Sequence, residues 1–482
     1  MNHHFHFTRT HHSIFTSKRS YTRTIDESTV QRSENKQRLQ IPLNLYLCIM
    51  NQQILRIAFP SIISNITIPL LALADTTIVG HLGKSSYIGA IALGGMVFNM
   101  AYWLFGFLRM GTGGLTAQAY GRGDEQESTC VLLRSLFVAL GISMLLWLLQ
   151  HPIIDLTLHF VTASPEVATN ARNYYQVLIW GAPAVLGLYS LTGWFLGMQD
   201  ARVPMLTAIL QNVVNISASC LLVFGFHLKI RGVAAGTLIA QYTGFAIALG
   251  IWFCRHRHAL HGIRWTHIVE TDALKKFFSV NRDIFLRTLC LIAVTSYFTS
   301  FGSAQGELIL AANTLLMQFF ILFSYVMDGF AYAGEALGGR FCGAGSRKDF
   351  NKLTRYLFGW GIALVAIYSA TYAITGRGLL RILTSNSSVV TCATDYLPYA
   401  CAVPVASFTA FLFDGLFIGT TSTRFMLFSM MAATATFFLI LECFPASNST
   451  LWMAFLAYLA CRGIVQASLF PKVKNKLGGL AS

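Results

Sequence analysis

From Ile54 onward, apolar stretches long enough to cross a bilayer alternate with short polar breaks. The pattern predicts twelve helical spans at 54–79, 87–119, 129–150, 168–197, 202–225, 232–254, 278–301, 308–334, 350–375, 389–418, 423–442 and 450–470. A membrane helix needs about 20 apolar residues and satisfies its own backbone, which a loop in lipid does not. The second, fourth and tenth spans are long enough to tilt or to project beyond the bilayer. The stretch before them is different in kind. Residues 1–50 are polar, rich in His, Ser, Thr and Arg, and contain no span. They read as a disordered tail or an over-extended start ahead of Met50-Asn51, with an organellar transit peptide as the alternative.

The two halves of the pattern resemble each other. GWFLGMQDAR, starting at Gly193, matches GLFIGTTSTR, starting at Gly415, at an offset of 222. Gly193, Phe195, Gly197 and Arg202 recur as Gly415, Phe417, Gly419 and Arg424, and AQAYG around Gln118 echoes GEALG around Glu335. Six spans per half is an even number, so both halves enter the membrane from the same side. The repeats are therefore parallel, with a cavity expected between two lobes. The expected fold is an all-α polytopic membrane protein with a six-helix lobe at 51–254, a cytoplasmic linker at 255–277, a second six-helix lobe at 278–471 and a tail at 472–482.

Composition fits this picture. Of 482 residues, 54% are hydrophobic and 11% charged, against roughly 25% charged in soluble domains. The net charge of +15 does not indicate nucleic acid, because the basic residues sit between apolar runs rather than along one stripe. With the N-terminus inside, the inner loops hold fifteen Lys and Arg between Arg122 and Arg424, Arg287 among them, and the outer loops six. Lys472, Lys474 and Lys476 add to the inner side. This asymmetry places both termini in the cytoplasm and the chain in an inner (plasma) membrane. The ten cysteines show no CxxC pair or zinc spacing, and neither a metal nor a cofactor is expected. The histidines of HHFHF and of HRHALH read as solvated rather than metal-binding.

Candidate chemistry lies in the few charges within apolar runs, since an ionised side chain in lipid either pairs, is neutralised or does work. Four acids stand there: Asp75, Asp328, Glu335 and Asp414. Asp75 is a helix-end anchor or a coupling site. Asp414 is a buried hydrogen-bonded residue or a second coupling site, Asp328 is a third candidate, and Glu335 reads as structural, against Arg340. Arg109 either counters one of these charges or snorkels. Pro60 and Pro69 interrupt the first span, and Pro183 and Pro404 the fourth and tenth, each removing a helical hydrogen bond. The first pair makes that helix a candidate hinge. Met96, Phe98, Tyr102, Arg109, Gln118, Phe320 and Phe323 are candidates for lining a pocket for flat lipophilic cations, which bind through area and cation–π attraction. Packing within the bundle is the alternative for each.

FPSIISN, ALADTTIVGHLG, FLRMGTGGLTAQAYGRGD, NRDIFLRT, LAANTLLMQFF, DGFAYAGEALGGR and FDGLFIG together resemble the DinF branch of the MATE (multidrug and toxic compound extrusion) family over roughly residues 50–470. The resemblance implies a twelve-helix, two-lobed antiporter that exchanges lipophilic or cationic compounds for inward H⁺ or Na⁺. It matches Asp75 to the first-helix acid, Pro60 to the proline about which that helix bends, and Asp414 to the tenth-helix acid. Where some relatives carry a seventh-helix Glu, this chain has Thr288, Thr295 and Ser296, which favours H⁺ over Na⁺. A monomer in contact with membrane lipids is expected. Two alternatives remain: a related flippase of lipid-linked precursors, which calls for a more cationic cavity than Arg109 alone supplies, and a polytopic enzyme, for which no clustered catalytic set is visible.

Overall fold

The computed structural model describes residues 43–82, 84–160, 164–261 and 263–479. Most of the polar segment 1–50 therefore lies outside the described residues. The chain divides into two units, Met1–Ile49 and Met50–Ser482, and the second is the helical bundle. Twelve helices are long and apolar enough to cross a membrane: α1 (Ile49–Gly80), α2 (Ser86–Arg122), α3 (Glu125–Leu148), α4 (Pro165–Gly197), α5 (Arg202–Gly225), α6 (Lys229–Leu260), α7 (Thr271–Ala304), α8 (Glu307–Gly343), α9 (Arg347–Leu383), α10 (Ser387–Gly419), α11 (Thr423–Cys443) and α12 (Asn448–Asn475). Each coincides with one expected span, and there is no strand among the described residues.

The helices run farther than the apolar stretches do. α6 continues to Leu260 and α7 begins at Thr271, so both ends of the expected linker 255–277 are helical. A helix begun in the bilayer propagates at little cost once nucleated, so charged ends stay helical where they leave it. The linker is fastened from below by buried Arg134 on α3. Its Nε donates to the Ile268 carbonyl at 2.9 Å, Nη2 to the His267 carbonyl at 2.6 Å, and Nη1 pairs with Glu127 at 2.7 Å.

Interruptions occur where local chemistry demands them. α2 breaks at Phe105-Gly106. α4 passes through a 3₁₀ turn at Ile179–Gly181 just before Pro183, and α5 ends in a π turn at Leu221–Gly225. α10, by contrast, continues through Pro398 and Pro404, as α1 does through Pro60 and Pro69. The expected break at Pro404 is absent. One missing N–H is tolerated because the neighbouring turns retain theirs.

The 222-residue repeat is a repeat of packing. A Cβ at Gly193 would lie 2.2 Å from the Arg109 carbonyl oxygen of α2, and one at Gly415 would lie 2.1 Å from the Ala331 carbonyl oxygen of α8. Both pairs carry the same offset. α4 thus lies on α2, and α10 on α8, with backbones in contact, an approach only glycine permits. In lipid such close packing replaces the hydrophobic drive as the source of helix association. The relation extends across the lobes. A Cβ at Gly121 would meet the Arg340 carbonyl oxygen at 2.1 Å, and one at Gly343 the Gln118 carbonyl oxygen at 2.1 Å. The ends of α2 and α8 therefore cross about a pseudo-twofold axis. Both then turn at left-handed glycines, Gly123 (φ 74°) and Gly345 (φ 66°). Gln118 Nε2 donates to the Gly419 carbonyl at 3.0 Å, and Gln199 Nε2 to the Ala336 carbonyl at 2.8 Å. These bonds knit the lobes at the membrane face that carries the linker.

The packing gives a direct expectation. Gly415→Val should destabilise by about 1–3 kcal/mol, the usual cost of overpacking, and lower the thermal midpoint in detergent. Gly95→Val, where an added Cβ meets nothing within 4 Å, should leave it unchanged.

Candidate coupling and substrate site

The two lobes handle intramembrane charge in opposite ways. In the first lobe, Asp75 on α1 is 8% exposed, and its Oδ1 accepts no hydrogen bond. It lies beside the Asn215 side chain of α5 and near Tyr174 of α4, and among the described residues no cationic side chain stands against it. Asn215 is oriented by its Nδ2, which donates to Thr237 Oγ1 of α6 at 2.9 Å, and its own Oδ1 accepts nothing. Aromatic rings fill the same lobe. Phe98 stacks on Tyr175 at 5.0 Å and meets Tyr102 at 5.6 Å, and the Tyr102 hydroxyl is buried without a partner.

In the second lobe each candidate acid has cationic side chains acting on it. Asp414 on α10 accepts from Arg287 of α7 and from Arg462 and Gln466 of α12. All four side chains are buried. Asp328 on α8 lies in the field of Arg109, Arg287 and Arg462. Glu335, also on α8, pairs across the lobe boundary with Arg109 of α2 at 3.3 Å. The guanidinium of Arg109 also covers the Tyr332 ring at 4.3 Å. Glu335 thus engages Arg109 and not Arg340, whose guanidinium faces Tyr120. Three arginines face three carboxylates, which neutralises the group as a whole.

The other sequence candidates separate. Gln118 is buried and spends its amide on Gly419 at the end of α10 and on Thr421 in the turn after it, so it fastens the lobes. Phe323 is fully buried against Tyr368 at 5.3 Å, and Phe320 packs on Phe455 at 5.5 Å. Met96 is 61% exposed. Phe98 and Tyr102 are the two candidates that join the first-lobe aromatic cluster with Tyr175. Sequence reasoning missed Asn215, Thr237, Arg462 and Gln466. It also counted Arg287 among the loop charges and treated Arg109 as nearly alone, whereas both belong to the buried network. Arg462, inside an apolar run, carries the same signal that singles out the acids.

The MatE family model matches residues 60–221 and 284–442, one block in each lobe. The chain belongs to the MATE family. Over 430 residues it is 36% identical to DNA damage-inducible protein F of Escherichia coli (strain K12), covering 89% of this chain and 93% of that one. It is 24% identical over 361 residues to the probable multidrug resistance protein NorM of Thermotoga maritima, covering 71% and 74%. A crystal structure of MATE in the bent conformation superposes with a TM-score of 0.80 at 18% identity, covering 89% of this chain and 97% of that chain, which shows the shared fold. Family membership makes this MATE protein a multi-pass membrane transporter and not an enzyme.

The Asp414 cluster makes a testable statement about stability. Asp414→Asn leaves Arg287 and Arg462 buried without the carboxylate they share. Breaking a buried ion pair in this way costs about 3–5 kcal/mol, read as a lowered unfolding midpoint. Adding Arg462→Gln should recover part of the loss, because it removes one of the uncompensated cations.

Proposed function

We propose that this chain is a secondary antiporter that exports lipophilic or cationic small molecules in exchange for inward H⁺, with Asp75 as the exchanging group. One observation carries the reading: among the candidate intramembrane acids, Glu335 and Asp414 are ion-paired and Asp328 lies in the field of three arginines, whereas Asp75 has no cationic side chain acting on it among the described residues. An ionised carboxylate cannot stay uncompensated in a low-dielectric interior. Asp75 is therefore neutralised by something that arrives and leaves. A proton needs one acceptor atom, whereas a metal ion needs several oxygen ligands, and the side chain identified beside Asp75 is the single Asn215 amide. That contrast favours H⁺ over Na⁺. A flat organic cation is the other candidate, since Tyr174 near Asp75 and the first-lobe cluster of Phe98, Tyr102 and Tyr175 offer π-faces.

Competition for one charge is sufficient for exchange. Deprotonated Asp75 holds a cationic substrate, and protonation removes that attraction and releases it. No separate gate is required, because each ligand shifts the equilibrium by its differential affinity for the two states. Pro60 lies fifteen residues before Asp75 on the same helix, about 22 Å at 1.5 Å per residue. An event at Asp75 reaches that hinge through the helix as a body. The transporter works as a monomer in the inner (plasma) membrane with both termini cytoplasmic, an orientation supported by the loop charges.

Reconstituted protein supplies the test. Asp75→Asn should fold normally yet abolish efflux of a lipophilic cationic dye driven by a pH gradient, while Asp414→Asn should retain residual efflux per folded molecule. Full proton-driven transport by Asp75→Asn, with none by Asp414→Asn, would reverse the assignment.

A further inference from the structure

At the membrane face that carries the linker, a cavity of about 570 Å³ opens between the ends of α1, α5, α6 and α8. Its walls hold Arg56 of α1, Arg202 of α5, Arg255 of α6 and Arg340 of α8, against the single acid Asp200. Asp200 is already engaged, pairing with Arg255 at 3.2 Å and accepting the Arg202 backbone N–H at 3.2 Å. The site therefore keeps an excess of three positive charges. Arg340 is held over the Tyr120 ring at 5.7 Å, while Arg56, Arg202 and Arg255 are exposed.

We propose that this cavity binds the phosphate headgroup of an anionic membrane lipid. Three features select this ligand. Guanidinium groups present forked donors that match phosphate oxygens, so four of them around one cavity favour phosphate over a simple monovalent anion. Every arginine stands near the end of a membrane span, the region where basic clusters meet anionic lipid. One turn into α5 from Arg202, Leu206 lines the same cavity and is 50% exposed, giving an acyl chain an apolar path out of the polar pocket. The last two features separate a bilayer lipid from phosphate in solution. Arg340 belongs to the second lobe and the other three arginines to the first. The complete cavity exists only while the ends of α2 and α8 are together, and the lipid therefore favours that closed arrangement.

The test uses the full chain purified in detergent, with thermal midpoints read after addition of phosphatidylglycerol, phosphatidylcholine or inorganic phosphate. Phosphatidylglycerol should raise the midpoint, and the other two should not. The double variant R56Q/R202Q and the single variant R340Q should each lose at least half of that shift. R377Q/R381Q, which removes two charges from the opposite membrane face, should keep it. Equal stabilisation by phosphatidylcholine, or a full shift in both cavity variants, would overturn the proposal. Inorganic phosphate reproducing the whole effect would overturn the lipid assignment in favour of a soluble anion.

Discussion

A charge inside a bilayer has neither water nor counter-ions to compensate it, so the protein must provide the compensation or leave it to a ligand. The second lobe provides it. Arg287, Arg462 and Gln466 close on Asp414, and Arg109 reaches across the lobe boundary to Glu335. The first lobe leaves Asp75 beside a neutral amide and Tyr174. Two lobes built on one repeat thus carry opposite electrostatic designs. One is closed and self-neutralising, and the other waits for an exchangeable cation. Transport by competition follows from that difference, and it assigns the carboxylates different work despite their similar burial.

The glycine contacts give this asymmetry its frame. Gly193 on Arg109 and Gly415 on Ala331 place α4 and α10 identically in the two lobes. Gly121 and Gly343 then set the lobes against each other end to end. Because these approaches are made by backbone atoms, they hold α2 and α8 at a separation set by peptide geometry rather than by side-chain choice. Arg109 and Glu335 are brought together by that crossing. The same contact assembles the arginine cavity from both lobes, so the state of the interface and the occupancy of the cavity are linked.

Much of this was legible in the sequence. Twelve apolar runs, the 222-residue repeat and the Gly193/Gly415 correspondence specify the helices and their pairing, because periodicity and glycine spacing are local properties. The acids stood out for the same reason. Their partners did not, since Arg287 is 127 residues from Asp414 and Arg109 is 226 from Glu335. Arg287 was counted with the loop charges Lys275, Lys276 and Arg282 that precede it, although it lies inside the expected span 278–301. Asn215 and Thr237 carry no charge, and nothing in their own spans marks them until Asp75 is placed beside Asn215. Pro404 misled in the other direction, because a helix held by α8, α9 and α12 absorbs one missing hydrogen bond.

The central claim is that Asp75 exchanges a proton for a cationic substrate at one site, and proton release on binding measures it without a membrane or a gradient. Purified protein in weakly buffered detergent solution, at a pH where Asp75 is protonated, is titrated with a lipophilic cationic dye while a pH indicator follows the bulk. The account predicts release of about one proton per dye bound by the unaltered chain, and none from Asp75→Asn. Dye binding with no proton released, or the same release from Asp75→Asn, would contradict it.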